Sequence, residues 1–274
     1  MLIEYDGTNY AGFQLQADQP TVQGQIERGL ARFTGETTRI RGASRTDSGA
    51  HARGQVVDFL TSSSHPADRF PRALNFYLPP DIKVQAAHQV PLNFNSRRDA
   101  ISRIYRYQIW NRSWPSPLYR YTHFWVTGDL DESKMDAAAQ GLLGSHDFRI
   151  MASSHPPYKS AVRHVYRWNA WKEGDTIVIE CEANAFLRHQ IRKATALLIE
   201  AGKGRCPESI MSDVLDEGLP SLVERPAVPA HGLCLMEVKY PTPFGRPFDT
   251  EGSGSIWAGE ESIPQQQAIG SAAP

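Results

Sequence analysis

Arg103-Ile104-Tyr105-Arg106-Tyr107-Gln108-Ile109-Trp110 is the stretch on which the fold turns. Arg103, Tyr105, Tyr107 and Ile109 alternate with Ile104, Arg106, Gln108 and Trp110, which is the two-residue period of a strand. The strand carries an aromatic face, and sheet chemistry therefore organises the middle of the chain. Downstream, residues 131–143 change to the helical period, with Met135, Ala139, Leu142 and Leu143 on the inward side. Two strands at about 163–171 and 174–182 turn near Gly174. Residues 185–201 read as an amphipathic helix through Ile191, Ala194, Leu198 and Ala201, stopped by Gly202. Pro207 opens another helix, and residues 232–240 supply a closing strand.

Upstream the pattern is similar. Val22, Ile26, Leu30 and Phe33 share a helix face over 21–33, with Thr21 as N-cap after Pro20. Residues 54–60 alternate as a strand with Val57 and Phe59 on one side, and a short strand follows Pro79-Pro80-Asp81 near Ile82–Ala86. Strands and helices mix without strict βα alternation. This predicts an α+β fold: antiparallel sheet with helices on one face, in two βαββ-like halves, 1–95 and 96–241. The remainder, 242–274, is Gly-, Ser-, Gln- and Ala-rich with too little apolar content to fold, and it is expected to be disordered.

Composition narrows the function classes. No run of about 18 apolar residues occurs, which argues against a membrane span. Met-Leu-Ile-Glu-Tyr-Asp lacks the features of a signal peptide. Cys181, Cys206 and Cys234 are too few and too far apart for a disulfide framework or a metal site, so a reducing cytoplasm is expected. The net charge of −1 speaks against nucleic acid, but it is unevenly spread. The tail takes one cation and four anions with it, leaving 28 basic and 26 acidic residues. Arg39, Arg41, Arg45 and Arg53 form one basic run, and Arg97, Arg98, Arg103 and Arg106 a second. Either run alone is more often a solvated face than a phosphate track.

The densest chemistry lies in Gly42-Ala43-Ser44-Arg45-Thr46-Asp47-Ser48-Gly49-Ala50-His51-Ala52. Small residues surround one carboxylate, so a ligand can approach Asp47 closely, as a nucleophile or general base requires. The ordinary alternative is an Asx turn in which Asp47 bonds the amide of Gly49. A hydrolase using Asp47 and His51 has only local spacing behind it, and no Gly-x-Ser-x-Gly elbow occurs. His146, Asp147 and His164 do not form a metal motif, and Gly202-Lys203-Gly204 ends a helix where a phosphate loop would open one.

The same stretch resembles the catalytic motif of the TruA family of tRNA pseudouridine synthases, with its Arg-Thr-Asp-small-Gly-small-His core. The resemblance runs in order over roughly residues 1–241. It includes Tyr5-Asp6-Gly7-Thr8, Tyr10, Gly12-Phe13-Gln14 and Gln16, then Thr21-Val22-Gln23. Leu74-Asn75, Leu78-Pro79-Pro80-Asp81-Ile82, Phe94 with Arg97, and Tyr105-Arg106-Tyr107 follow. Gly144-Ser145-His146-Asp147-Phe148 is similar to a family loop. Asn184-Ala185-Phe186-Leu187 with Arg192, then Gly232-Leu233 and Val238-Lys239-Tyr240, complete the set. Phe13 stands where Trp is usual, Asn95-Ser96 replace His-Ala, and Lys193 and Ala196 replace Asn and Gly. The chain opens only four residues before Tyr5, so a first strand is expected to pair weakly.

The resemblance implies two RRM- or ferredoxin-like halves joined in one continuous, mainly antiparallel sheet with helices on one face and a central cleft. It implies conversion of uridine to pseudouridine in the anticodon stem-loop of tRNA, at positions 38 to 40, without metal or organic cofactor, by a homodimer. Asp47 becomes the essential carboxylate, attacking ribose or base or abstracting a ribose proton. Arg192 supplies the positive charge beside it. Tyr105 stacks on the flipped uracil and takes part in a late proton step, and Arg45 and Arg97 contact the RNA. Phe186 and Leu187 wall the pocket. The principal rival is a non-catalytic RNA-binding protein of the same fold.

Overall fold

The computed structural model describes residues 1–153, 156–218 and 226–241. The expectation of a disordered tail falls outside them. In chain order the elements are β1 (Leu2–Tyr5), α1 (Val22–Thr34), β2 (Arg41–Gly42), β3 (His51–Asp58), α2 (Arg69–Tyr77) and β4 (Ile82–Ala86). There follow β5 (Ser102–Asn111), β6 (Phe124–Val126), α3 (Glu132–Ala139), β7 (Gly144–Asp147), β8 (Val162–Glu173) and β9 (Thr176–Ala183). Then come α4 (Gln190–Gly202), α5 (Ile210–Glu217) and β10 (Leu233–Lys239).

Alternation produces the strand at β5 as read. Tyr105, Tyr107 and Ile109 are buried, while Arg106, Gln108 and Trp110 are half-exposed on the other face. One sheet runs in the order β4-β1-β3-β10-β5-β9-β8-β7, with β2 on β3 and β6 on β5. Pairing is antiparallel except for β10 with β3 and β6 with β5. The fold is therefore α+β with a large, mostly antiparallel mixed sheet. The decisive placement is β10: the last strand sits between β3, which leaves the Asp47 loop, and β5, which carries Tyr105.

The helix over 21–33 forms as α1, and the Thr21 side chain accepts the Gly24 amide at 3.2 Å as an N-cap should. Three expectations are corrected. The first strand is not weakly held: β1 pairs on both sides, with β3 and β4, because its Ile3 and Tyr5 are buried in the core. The Gly144–Asp147 segment is an edge strand, β7, rather than a loop. The helix read over 185–201 begins only at Gln190, and Gly202 remains inside it. A Cβ on Gly202 would lie 2.7 Å from Met135 Cγ, so this glycine lets α4 and α3 pack closely instead of capping. Leu143, expected inward, is exposed just beyond the buried Leu142. Among the described residues no helix is long and apolar enough to cross a membrane, and the three cysteines are free.

Candidate active site

The Asp47 loop joins β2 to β3, and the N-terminal segment 7–13 holds it in place. Phe13 N donates to Thr46 O at 3.2 Å, Gly49 N to Tyr10 O at 3.3 Å, and Ser48 Oγ to Tyr10 O at 3.1 Å. The buried Tyr5 hydroxyl meets Thr46 Oγ1 at 2.7 Å. Gly7 packs so tightly that a Cβ there would lie 1.9 Å from Ala50 O, and its amide donates to His51 Nδ1 at 3.1 Å. The two blocks that stand far apart in the sequence are one packed unit.

His51 is therefore structural. Its Nε2 donates to the carbonyls of Tyr121 at 2.7 Å and His231 at 3.0 Å while Nδ1 accepts from Gly7. Asp6 Oδ1 also lies 3.1 Å from that Nδ1. Both ring nitrogens are engaged away from Asp47, which removes the Asp47–His51 hydrolase reading. The Asx-turn alternative fails too. The turn closes through the backbone, Ala50 N to Asp47 O at 3.1 Å, and the carboxylate itself turns to α4.

There, Arg192 Nη1 donates to Asp47 Oδ2 at 2.9 Å. The guanidinium is fixed from its other end, since Arg192 Nε donates to Val228 O at 2.7 Å. Side-chain exposures of 22% for Asp47 and 15% for Arg192 make this a mostly buried, charge-assisted pair that solvent still reaches. His189 Nε2 stands 3.6 Å from the same Oδ2.

Tyr105 lies alongside. Its hydroxyl meets Ser44 Oγ at 2.6 Å, and its ring meets Phe186 edge-on with centroids 5.4 Å apart. Burial raises the Tyr105 hydroxyl pKa well above the usual phenol range, and the nearby Asp47 charge adds to the shift. Phe186 is half-buried and Leu187 is buried, both in the loop that leads from β9 into α4.

The basic runs separate into two kinds of arginine. Arg39 pairs with Glu27 at 2.9 Å, Arg41 with Asp58, Arg98 with Asp99 at 2.8 Å and Arg106 with Glu180 at 2.9 Å. Arg103 is buried and donates to the carbonyls of Asn184, Ala43, Arg97 and Ala100, tying the start of the Asp47 loop to the segment before α4. Arg45 and Arg97 are exposed and form no ion pair among the described residues. Burial lowers the Arg45 pKa and the charge of Arg97 lowers it further, so two unneutralised cations stand near each other.

The sequence reading did not find His189, Arg103 as a brace, Ser44 as the partner of Tyr105, or the Val228 carbonyl. The Phe13 and Ser96 departures are both accommodated in the interior. Phe13 is buried beside Tyr5, and the buried Ser96 donates through Oγ to Arg41 O while its carbonyl accepts from Tyr240. Among the described residues no three His, Cys, Asp or Glu side chains converge as metal ligands.

A short acidic loop clamped to a helix arginine, beside a buried tyrosine, matches known proteins throughout the described chain. The chain belongs to the tRNA pseudouridine synthase family, whose model matches residues 1–98 and 138–241. Similar relatives bear the more particular name tRNA pseudouridine synthase A. The one from Geotalea daltonii is 38% identical over 240 residues, covering 88% of this chain and 98% of the relative. That from Acetivibrio thermocellus is 39% identical with the same coverage. That from Roseiflexus castenholzii is 40% identical over 253 residues, covering 90% and 92%. The chain is thus an isomerase of the pseudouridine synthase class.

Proposed function

We propose that this chain converts uridine to pseudouridine in the anticodon stem-loop of tRNA, at positions 38 to 40, with Asp47 as the reacting carboxylate. The observation that carries the reading is the 2.9 Å bond from Arg192 Nη1 to Asp47 Oδ2. Binding alone needs no carboxylate held by arginine, partly exposed, beside a buried tyrosine. An acidic group here would in fact repel phosphate.

The reaction breaks the N1–C1′ bond, turns the uracil, and joins C5 to C1′; C5 loses its hydrogen and N1 gains one. The base must first leave the RNA stack. Asp47 acts on the flipped nucleotide, whether at ribose or at base, and Arg192 holds its oxygen in place. The ring of Tyr105 stacks on the uracil, and Phe186 and Leu187 keep water from the reacting face. With its pKa raised by burial, Tyr105 enters the reaction protonated. A role as base then requires that the arriving uracil change its surroundings. Arg45 and Arg97 hold RNA phosphates. The chain works as two α+β halves, 1–95 and 96–241, that meet where β3, β10 and β5 lie side by side. A homodimer in the cytoplasm, using no metal or organic cofactor, completes the reading.

Release of tritium from tRNA carrying 5-tritiated uridine tests the reaction, because only C5 substitution frees that hydrogen. Asp47→Asn should stop release while tRNA still binds. Binding without release by the unaltered protein would make it an RNA-binding protein only. Turnover above a few per cent in Asp47→Asn would remove Asp47 as the reacting group.

A further inference from the structure

His189 has an unusual backbone and an unusual neighbourhood. Its φ is 64°, and Asp18 is the only other non-glycine residue with positive φ among the described residues. Crowding between Cβ and the carbonyl oxygen disfavours that conformation in any residue but glycine. His189 holds the N-cap position of α4, yet its side chain caps no amide of the helix. Nor is it core, since its side chain is 23% exposed. A histidine held in a glycine conformation, neither capping nor filling the interior, points to a use for its ring.

The ring spans two groups. Nδ1 meets Ser153 Oγ at 2.6 Å, and Nε2 stands 3.6 Å from Asp47 Oδ2. When Ser153 donates to Nδ1, the ring proton sits on Nε2 and faces the carboxylate. Burial lowers the His189 pKa, and the charges of Arg192, Arg188 and Lys193 lower it further against the pull of Asp47, so the ring is neutral at neutral pH. It can offer an N–H without adding a second cation beside Arg192.

We propose that His189 is a positioning residue for the reaction: with Arg192 it engages Asp47 Oδ2, leaving Oδ1 as the oxygen that reacts. Both the Arg192 bond and the His189 approach fall on Oδ2, and Oδ1 accepts no hydrogen bond among the described residues. An oxygen with unencumbered lone pairs is the better nucleophile or base. The 3.6 Å separation closes to a hydrogen bond when substrate tightens the site, as contacts to catalytic groups commonly do.

This role rests on Asp47 as the reacting carboxylate, so the experiment examines the two separately. His189→Gly keeps the left-handed backbone and removes the ring. His189→Gln returns an N–H donor near the position of Nε2. With the full chain and tritiated tRNA, His189→Gly should lower kcat about ten- to hundredfold, the scale of a misplaced reacting group. KM for tRNA should stay within about twofold, because the lost interaction belongs to the chemical step. Melting temperature should hold or rise, and His189→Gln should recover most of the loss. A His189→Gly kcat within about twofold of the unaltered protein overturns the role. So does a fall shared by kcat, KM and melting temperature, or a Gln variant no better than Gly. Asp47→Asn is measured in parallel. If it is inactive while His189→Gly is fully active, only the role of His189 fails. If Asp47→Asn turns over, the reading of Asp47 fails and that of His189 with it.

Discussion

Arg192→Ala removes the clamp on Asp47, and the structure sets the size of the effect. One charge-assisted bond, from Nη1 to Asp47 Oδ2 at 2.9 Å, is lost from a carboxylate that is about one-fifth exposed. Such a bond is worth about 1.5–3 kcal/mol, because water can only partly replace the lost donor. If the whole of it acts in the transition state, kcat falls roughly 10- to 150-fold. The same change removes the 2.7 Å bond from Nε to Val228 O and leaves that carbonyl short of a donor. This costs about 1 kcal/mol of stability and lowers the melting temperature by roughly 2–4 °C. Arg192→Lys should recover little, because one ammonium cannot reproduce a planar fork that serves the Asp47 carboxylate and the Val228 carbonyl at once. Single-turnover tritium release at saturating tRNA measures the chemical step, and a thermal melt measures the stability. Arg192→Ala turnover within about twofold of the unaltered protein, or a fully active Arg192→Lys, would refute the clamp.

Arg45→Ala and Arg97→Ala should each weaken tRNA binding and flatten its log–log salt dependence by about 0.7 to 0.9. Arg98→Ala, which loses only a pair with Asp99, should leave the slope unchanged; equal slopes for all three would place the RNA track elsewhere. Burial raises the pKa of Tyr5, Tyr105 and Tyr107 above the unfolded value, so their contribution is intact below about pH 10 and is lost as pH rises beyond it. Each phenol should remove about 1.4 kcal/mol per pH unit in that range, and a melting temperature that holds through pH 11 would contradict their burial. Gly7→Ala forces a methyl against the Ala50 carbonyl and should destabilise the fold by about 1–3 kcal/mol while lowering turnover; an unchanged melt and rate would mean the Asp47 loop does not depend on this contact.

The sequence by itself determined what depends on near neighbours along the chain. The two-residue period of 103–110 and the helical period of 21–33 became β5 and α1, because alternation of apolar side chains is a property of the local backbone repeat. The Asp47 loop and the helix arginine were legible as family motifs, and so were Tyr105, Phe186 and Leu187. Tertiary structure alone decided which groups meet. The basic runs looked uniform in sequence, yet Arg39, Arg41, Arg98 and Arg106 are paired with carboxylates, Arg103 is buried among carbonyls, and Arg45 and Arg97 have no such pair among the described residues. His189 showed no signal at all, since its left-handed backbone and its approach to Asp47 arise only when α4 starts five residues later than its periodicity suggests. Hydrogen bonds and ion pairs act over a few ångströms of space, whatever the distance along the chain. Asp47 and Arg192 stand 145 residues apart, and folding of the intervening chain brings them to 2.9 Å.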